Sequence, residues 1–243
     1  RLRAVAAVAV DPWQEGRLVA LQTDGTLTES RDAGITWTTR GRLAPPEDGA
    51  ELALSGPRVV VARPAPACGA GVPGTAVAGV LAVTEVCGHA PFVGPDNDAY
   101  VLTGERGNAA LVALAATAAP PARAVPAGRT LGNAVIRAGS DLRRPGRVWI
   151  LGGHPGGQRL RLSDDAGVHW AAPVPLPPGR AVDAVDDAAG RLWVAMAVDD
   201  RATRCYRLDG QDWIGVGGVS AVAESLHRCG GGVCLLDPDG QRL

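Results

Sequence analysis

The 243-residue chain has no lysine, no Cys-x-x-Cys pair and no apolar run long enough to cross a membrane. A transmembrane helix needs about 20 consecutive apolar residues, so we expect no membrane span. Zinc ribbons and thioredoxin-like redox sites use the Cys-x-x-Cys spacing and are excluded. Arginine supplies all 24 basic residues against 25 acidic ones, which leaves a formal net charge of -1. Without a basic excess, nucleic acid is not an expected partner.

Glycine and proline are abundant, with 33 and 19 residues, and apolar residues make up 46% of the chain. The apolar content is enough to bury a sizeable core. The glycine and proline content is too high for a helical bundle, because glycine weakens helices and proline breaks them. It is typical of short strands joined by many turns.

The first ten residues combine charge with small apolar side chains, as a signal peptide does. However, Asp11 and Pro12 follow directly, and no cleavage-like motif lies beyond the run. We therefore interpret the run as the first β-strand of a chain whose leader is missing. This interpretation predicts an extracytoplasmic location, which means a secreted, periplasmic or cell-surface protein.

Five cysteines are present, and four of them flank glycine-rich stretches in two local pairs. In an oxidising compartment we expect the disulfides Cys68–Cys87 and Cys229–Cys234, with Cys205 unpaired. One alternative is five reduced, buried cysteines. Another is pairing of Cys205 with Cys229 or Cys234, if neighbouring repeats bring them close.

A pattern of short strands and turns begins at residues 5–39 and returns over residues 134–170 and 181–214. Its β-branched and aromatic residues predict four short antiparallel strands per copy, joined by hairpins. The last strand is predicted over residues 35–39 in the first copy and from residue 168 in the second.

The turn before the last strand has the motif Ser-x-Asp-x-Gly-x-x-Trp. It is complete twice and shortened, without the serine, in a third match: Ser30, Asp32, Gly34 and Trp37; Ser163, Asp165, Gly167 and Trp170; Asp209, Gly210 and Trp213. The aspartate can accept hydrogen bonds from N–H groups inside a tight turn, and the serine hydroxyl can close the turn from the other side. Glycine supplies a positive φ. We expect each tryptophan to bury its ring against the next repeat.

This motif resembles the Asp-box, also called the bacterial neuraminidase repeat, of β-propeller proteins. The resemblance implies that the box residues lie on an outer rim and are structural rather than catalytic. Trp170 and Trp213 lie 43 residues apart, and Trp37 precedes Trp170 by about three times that distance. A period of about 40 to 45 residues with four strands is that of a propeller blade, as in WD40/YVTN-like repeats.

We therefore predict an all-β fold, a single β-propeller domain of four-stranded antiparallel blades over residues 1–243. Six blades are expected and five are the alternative, with a long β-sandwich as the competing fold. The approximate blades are 3–45, 50–93, 96–128, 132–178, 180–220 and a partial 221–243. The N-terminal segment would complete the partial blade.

Sialidases also carry these boxes, and their chemistry would require an arginine triad, a tyrosine with a glutamate partner and an aspartic acid. The N-terminal Arg-Ile-Pro signature is absent, the only tyrosines are Tyr100 and Tyr206, and paired carboxylates cannot be located. The four histidines are scattered. We predict no catalytic residues, no cofactor and no metal site.

Two features are candidates for binding. Trp149 and Trp193 hold the same position in neighbouring repeats and could line one surface, although packing between repeats is the simpler interpretation. Arg143, Arg144 and Arg147 form a small basic cluster, most simply a solvated loop.

The sequence favours a non-catalytic propeller that acts as a scaffold or protein-interaction subunit of an exported or cell-surface complex. Another protein subunit is the expected partner. The alternative is a carbohydrate-binding or sialidase/glycoside-hydrolase-like propeller. A third hypothesis is an assembly factor whose acidic partner is bound by the arginine-rich residues 137–147.

Overall fold

The computed structural model describes residues 4–46, 48–55, 58–64, 74–78, 81–95, 99–103, 110–114, 123–125, 134–153, 157–229, 232–237, 239 and 241–242. These residues form 22 β-strands and no helix, so the all-β prediction is confirmed. Accordingly, the described part of the chain has no helix that could span a membrane.

The strands divide between two compact units. The first unit contains β1 (Val5–Val10), β2 (Leu18–Gln22), β3 (Thr26–Ser30), β4 (Thr38–Arg42), β5 (Glu51–Ser55), β6 (Arg58–Arg63), β7 (Gly74–Ala78), β8 (Leu81–Cys87), β9 (His89–Val93), β10 (Ala99–Thr103), β11 (Ala110–Leu114) and β12 (Arg123–Val125). The second contains β13 (Ala134–Ser140), β14 (Val148–Gly153), β15 (Arg159–Ser163), β16 (Val174–Pro175), β17 (Arg180–Asp186), β18 (Leu192–Asp199), β19 (Ala202–Asp209), β20 (Asp212–Val219), β21 (Ser225–Cys229) and β22 (Gly232–Leu236). A single domain over the whole chain stays a prediction.

Five sheets have four strands each, and one has two. Sheet A is β1 to β4, sheet C is β9 to β12, sheet D is β13 to β16 and sheet E is β17 to β20. In these four sheets the spatial order follows the chain and all neighbours are antiparallel. Sheet F is the β21–β22 hairpin.

Sheet B departs from the predicted antiparallel blade. Its order is β5-β6-β8-β7, and β6 and β8 run parallel. The hairpin of β7 and β8 is thus turned so that β8, whose Val83 and Val86 are buried, lies on the inner side.

The structure also places β9 in sheet C, whereas the sequence assigned residues 50–93 to one blade. The chain turns at Gly88, whose N–H donates to the Arg63 carbonyl at 2.8 Å. A side chain at Gly88 would collide with the Leu102 carbonyl, so this sharp turn requires glycine.

Strand β6 shows why the sheets of the first unit stack. Val59 and Val61 pack into a cluster shared with sheet A, while Val60 and Ala62 pack into one shared with sheet C. Burying a valine side chain stabilises the fold by about 1.5–3 kcal/mol, so both faces need a neighbour.

Strand β18 has the same role in the second unit. Leu192, Val194 and Met196 join a core cluster with sheet D, and Trp193 and Ala195 join one with sheet F. Sheets D, E and F therefore stack in chain order, as A, B and C do in the first unit.

The predicted strands at residues 35–39 and from residue 168 begin later than expected. Residues 35–37 belong to the turn, and β4 starts at Thr38; residues 168–170 are also outside any strand, and the next strand is β16. The reason for the later start of β4 is local. The Asp32 carboxylate accepts a hydrogen bond from the backbone N–H of Thr36 at 2.8 Å, and this bond holds Thr36 in the turn.

The hairpin of sheet F contains the predicted Cys229–Cys234 disulfide, with the two Cα atoms 5.8 Å apart. Cys205 is free and half-buried, as predicted, and burial raises the pKa of its thiol. Cys68 and the side chain of Cys87 lie outside the described residues, so Cys68–Cys87 stays a prediction.

We predict that replacing Cys229 and Cys234 together by serine lowers the free energy of unfolding by about 2 kcal/mol, because the short loop is no longer closed in the unfolded chain. Urea unfolding with and without a reductant measures the effect. The wild type should lose stability with the reductant, and the double variant should be insensitive to it. Equal stability of the two proteins under oxidising conditions would contradict the prediction.

Candidate functional site

The first complete motif forms a closed, hydrogen-bonded turn. The buried Ser30 hydroxyl donates to Asp32 Oδ1 at 2.8 Å and accepts from the Gly34 N–H at 2.9 Å. Asp32 in turn accepts from the backbone and the hydroxyl of Thr36, at 2.8 and 2.5 Å. Ala33 and Gly34 have positive φ, 55° and 91°.

The second motif repeats this geometry. Ser163 donates to Asp165 at 2.8 Å and accepts from the Gly167 N–H at 2.8 Å. His169 takes the place of Thr36: its backbone N–H donates to Asp165 Oδ1 at 2.8 Å, and its ring nitrogen lies 2.6 Å from Oδ2. The backbone and ring contacts of His169 lower the pKa of Asp165 to about 2. This carboxylate is committed to the turn and is a poor proton donor.

The third, shortened match forms a different turn. Asp209 lies opposite Asp212 across a two-residue hairpin between β19 and β20, and Gly210 in that hairpin has a φ of 63°. The shortened spacing leaves no room for the serine-closed turn.

Trp213 packs toward the preceding sheet and not, as expected, against the following repeat. The Trp37 indole N–H donates to the carbonyl of Gly34, in its own turn, at 2.9 Å. Trp213 donates to Pro175 at 2.8 Å, which belongs to the preceding sheet D. The Trp170 indole nitrogen is buried without a partner among the described residues.

We predict that Ser30→Ala and Ser163→Ala each lower the free energy of unfolding by about 1–3 kcal/mol, because buried N–H groups lose their acceptor. Chemical denaturation measures the loss. Ser220→Ala, at an exposed position outside the boxes, is the matched control and should be neutral within about 0.5 kcal/mol. Equal effects at all three positions would mean that the box serines do not hold the turns.

A second recurring turn was missed from the sequence. Three first strands are followed directly by an aspartate whose Oδ1 accepts the backbone N–H two residues later, at 2.8–2.9 Å: Asp11, Asp141 and Asp187. Each turn then has a glycine with φ 74° and an arginine that precedes the second strand: Gly16 and Arg17; Gly146 and Arg147; Gly190 and Arg191. In the sequence this turn reads as an aspartate, a short loop, and then Gly-Arg followed by Leu or Val. The loops differ in length, so a search for a motif of fixed spacing does not find it.

Trp149 and Trp193 lie in the core rather than on a binding surface, with 3% and 8% of their surface exposed. Their indole N–H groups donate to two adjacent aspartates of sheet E. Trp149 contacts Asp186 Oδ2 at 2.6 Å, and Trp193 contacts Asp187 Oδ2 at 2.9 Å. Packing between repeats, the simpler interpretation, describes their position.

Each arginine of the basic cluster has an acceptor nearby. Arg143 donates to the Ala188 carbonyl at 2.7 Å, Arg144 lies 3.8 Å from Asp141, and Arg147 lies 3.4 Å from Asp164. Arg137 pairs with Asp183 at 2.7 Å. The hypothesis that residues 137–147 bind an acidic partner stays a prediction.

The buried carboxyl group of Asp186 lies where sheets D, E and F pack together. Burial raises its pKa to about 7, against the opposing effects of the Trp149 hydrogen bond and of Arg228. Arg228, on β21, donates to the Asp186 carbonyl oxygen, and burial lowers the pKa of its guanidinium.

The raised pKa of Asp186 predicts a pH-dependent stability. Folded Asp186 keeps its proton up to about pH 7, whereas the unfolded chain releases it above pH 3.8. The protonated Asp186 therefore adds its full contribution to the free energy of unfolding below about pH 4, and this contribution is lost as the pH rises to about 7. Asp186→Asn keeps an acceptor for Trp149 and should remove that slope, with a difference of up to about 4 kcal/mol between the two ends. Thermal unfolding from pH 4 to 8 measures it. Asp164→Asn, at an exposed side chain, is the control, and an unchanged slope in Asp186→Asn would contradict the assignment.

Glu29 is a buried acid that the sequence did not single out. Its side chain is fully buried and accepts hydrogen bonds from Arg17 and Arg40, both at 2.7 Å. Burial alone would raise the pKa of Glu29, but these hydrogen bonds hold it below its usual value. Glu29 is thus part of an ion network inside sheet A.

An open groove of about 450 Å³ lies on the outer hairpin of sheet E. It is lined by Ala202, Thr203, Arg204, Cys205 and Tyr206 of β19 and by Gly215, Gly217, Gly218, Val219 and Ser220 of the β20 segment. Arg204 is the one charged residue in this lining. No strand lies on the outer side of β20 among the described residues. The groove therefore combines an unpaired strand edge with an accessible cation.

No protein-family model matches the chain, and no curated protein matches it by sequence. Similar solved structures include YCF48 bound to D1 peptide, with 16% identity, a TM-score of 0.56, and 87% of this chain and 66% of that chain covered. An ancestral GH74 enzyme has 12% identity and a TM-score of 0.56, with 97% and 35% covered. TolB from Acinetobacter baumannii has 9% identity and a TM-score of 0.53, with 97% and 52% covered.

These neighbours are β-propeller proteins, and their likeness supports a β-propeller fold for this chain. The chain spans just under two thirds of the YCF48 chain, about a third of the GH74 enzyme and about half of TolB. The number of blades stays a prediction.

Proposed function

We propose that this chain is a non-catalytic propeller that binds a segment of another protein, as a scaffold or interaction subunit of an exported or cell-surface complex. The observation that carries the proposal is the open groove on sheet E beside the unpaired edge of β20. A structural neighbour, YCF48, has been solved with a bound peptide.

The polar groups of the chain support binding rather than chemistry. The two box aspartates are used inside their turns, and Glu29 is held by arginines. General acid–base catalysis needs a group with a matched pKa facing a reacting atom. Asp186 has a raised pKa, but it is buried beneath packed sheets and bonded to Trp149.

The proposed extracytoplasmic location is supported by the Cys229–Cys234 disulfide, because disulfides persist in oxidising compartments. Among the described residues, we find no feature that favours the carbohydrate-binding alternative.

We predict that the tagged chain, incubated with an extracytoplasmic fraction of its source cells, retains a protein at a defined stoichiometry. We also expect no turnover of sialosides or aryl glycosides. The partner interface should bury about 1,000 Å² or more. Quantitative mass spectrometry of the retained proteins measures the stoichiometry, with the tag alone as control. Turnover that is lost on mutation of one carboxylate, without a retained protein, would contradict the proposal.

A further inference from the structure

The edge of β20 differs from the outer edges of the other sheets. Natural proteins protect such edges with short strands, proline or charge. The outer strand β4 has five residues with two arginines, β12 has three with one arginine, β16 has two including a proline, and β7 has five. Strand β20 has eight residues and is the longest of these outer strands. From Ile214 to its end it has neither charge nor proline, although it carries a β-bulge at Val216, which has no partner on β19. Ile214 and Val216 are 41% and 51% exposed.

The glycines of β20 leave side chains of the neighbouring strand β19 accessible from this edge. Gly215 is paired with Tyr206, and Gly218 with Arg204. A Cβ at Gly215 would lie 3.7 Å from the Tyr206 ring, and one at Gly218 would lie 3.2 Å from Arg204 Cγ. The two larger side chains therefore lie against bare backbone, where a further strand would meet them.

Arg204 gives the groove its charge preference. It is exposed and forms no ion pair with any residue in the described ranges, and no acidic residue lines the groove. A carboxylate on a bound segment would therefore form a charge-assisted hydrogen bond with Arg204. Tyr206 is two residues away on the same face of β19, because side chains alternate along a strand.

We propose that β20 accepts an extended segment of a partner protein as an additional strand, with an acidic side chain at Arg204 and an apolar or aromatic one, two positions away, at Tyr206. This inference rests on the proposed function and names the partner's chemistry. Backbone hydrogen bonds to the edge supply affinity, and the two side-chain contacts supply specificity.

Three capped peptides test the proposal on the full chain. Each has eight residues, matching the length of β20, and alternates valine and serine, with tyrosine at one central position. Two residues away the peptides carry Glu, Gln or Lys. We expect the Glu peptide to bind about tenfold more tightly than the Lys peptide, because glutamate accepts a charge-assisted hydrogen bond from Arg204, whereas lysine has the same charge as Arg204 and repels it. Fluorescence anisotropy measures the affinities.

Two pairs of variants separate side-chain and backbone recognition. Arg204→Glu should reverse the preference to the Lys peptide, while Arg207→Gln, on the opposite face of β19, should leave it unchanged. Gly215 is in a non-hydrogen-bonded pair with Tyr206, because the pairs alternate from the two-residue hairpin at Asp209 and Asp212, and its N–H faces the free edge. Gly215→Pro removes this N–H and should abolish binding of all three peptides, while Gly215→Ala, which keeps it, should retain binding. Because Gly215→Pro could disturb folding, hydrogen exchange on the wild type provides a second measurement. The Glu peptide should slow exchange at β20 amides.

Equal binding of the Glu and Lys peptides, binding that survives Gly215→Pro in a folded variant, or protection on other strands would overturn the inference. So would no binding of any peptide at about 1 mM, where even a weak edge contact gives a signal. A natural partner whose binding survives Arg204→Glu and Gly215→Pro would overturn this inference and leave the proposed function standing. Absence of any natural partner, with the peptide results as expected, would count against the proposed function alone.

Discussion

The structure depends on strands that are apolar on both faces. In β6, Val59 and Val60 contribute to two different core clusters, and in β18 Trp193 and Val194 do the same. A sheet with this pattern cannot leave one face in water, as many antiparallel sheets do. It must lie between two others, so the short sheets of each unit stack in chain order. Stacked four-stranded sheets of this kind are what the similarity to propeller proteins reflects.

Such short strands require turns that satisfy their own backbone groups. A strand of five residues offers few ladder hydrogen bonds, and a tight turn leaves N–H groups that need acceptors. Asp11 and Asp141 provide these acceptors where the first strand ends, and Ser30 and Ser163 do so before the last strand. Carboxylates and hydroxyls are therefore concentrated at the sheet ends for structural reasons.

The sequence predicted what is encoded locally. The hydrogen-bonded turns at Asp32 and Asp165, the all-β class and the Cys229–Cys234 link each depend on residues close together in the chain. It did not predict the parallel pairing of β6 with β8 or the contact of Trp213 with Pro175 in the preceding sheet. Those features depend on how well apolar surfaces that lie tens of residues apart in the chain pack together. The pattern of residues within one strand does not encode this.

The edge of β20 departs from the local consistency of the rest of the chain. Gly215, Gly217 and Gly218 weaken a strand, because glycine loses the most entropy on ordering and has no side chain to pack. Stability alone would favour β-branched residues here and a charge at the edge. Sequences that break a local rule tend to do so at functional sites. Here the broken rule exposes Arg204 and Tyr206, the two side chains of the groove able to distinguish one bound segment from another.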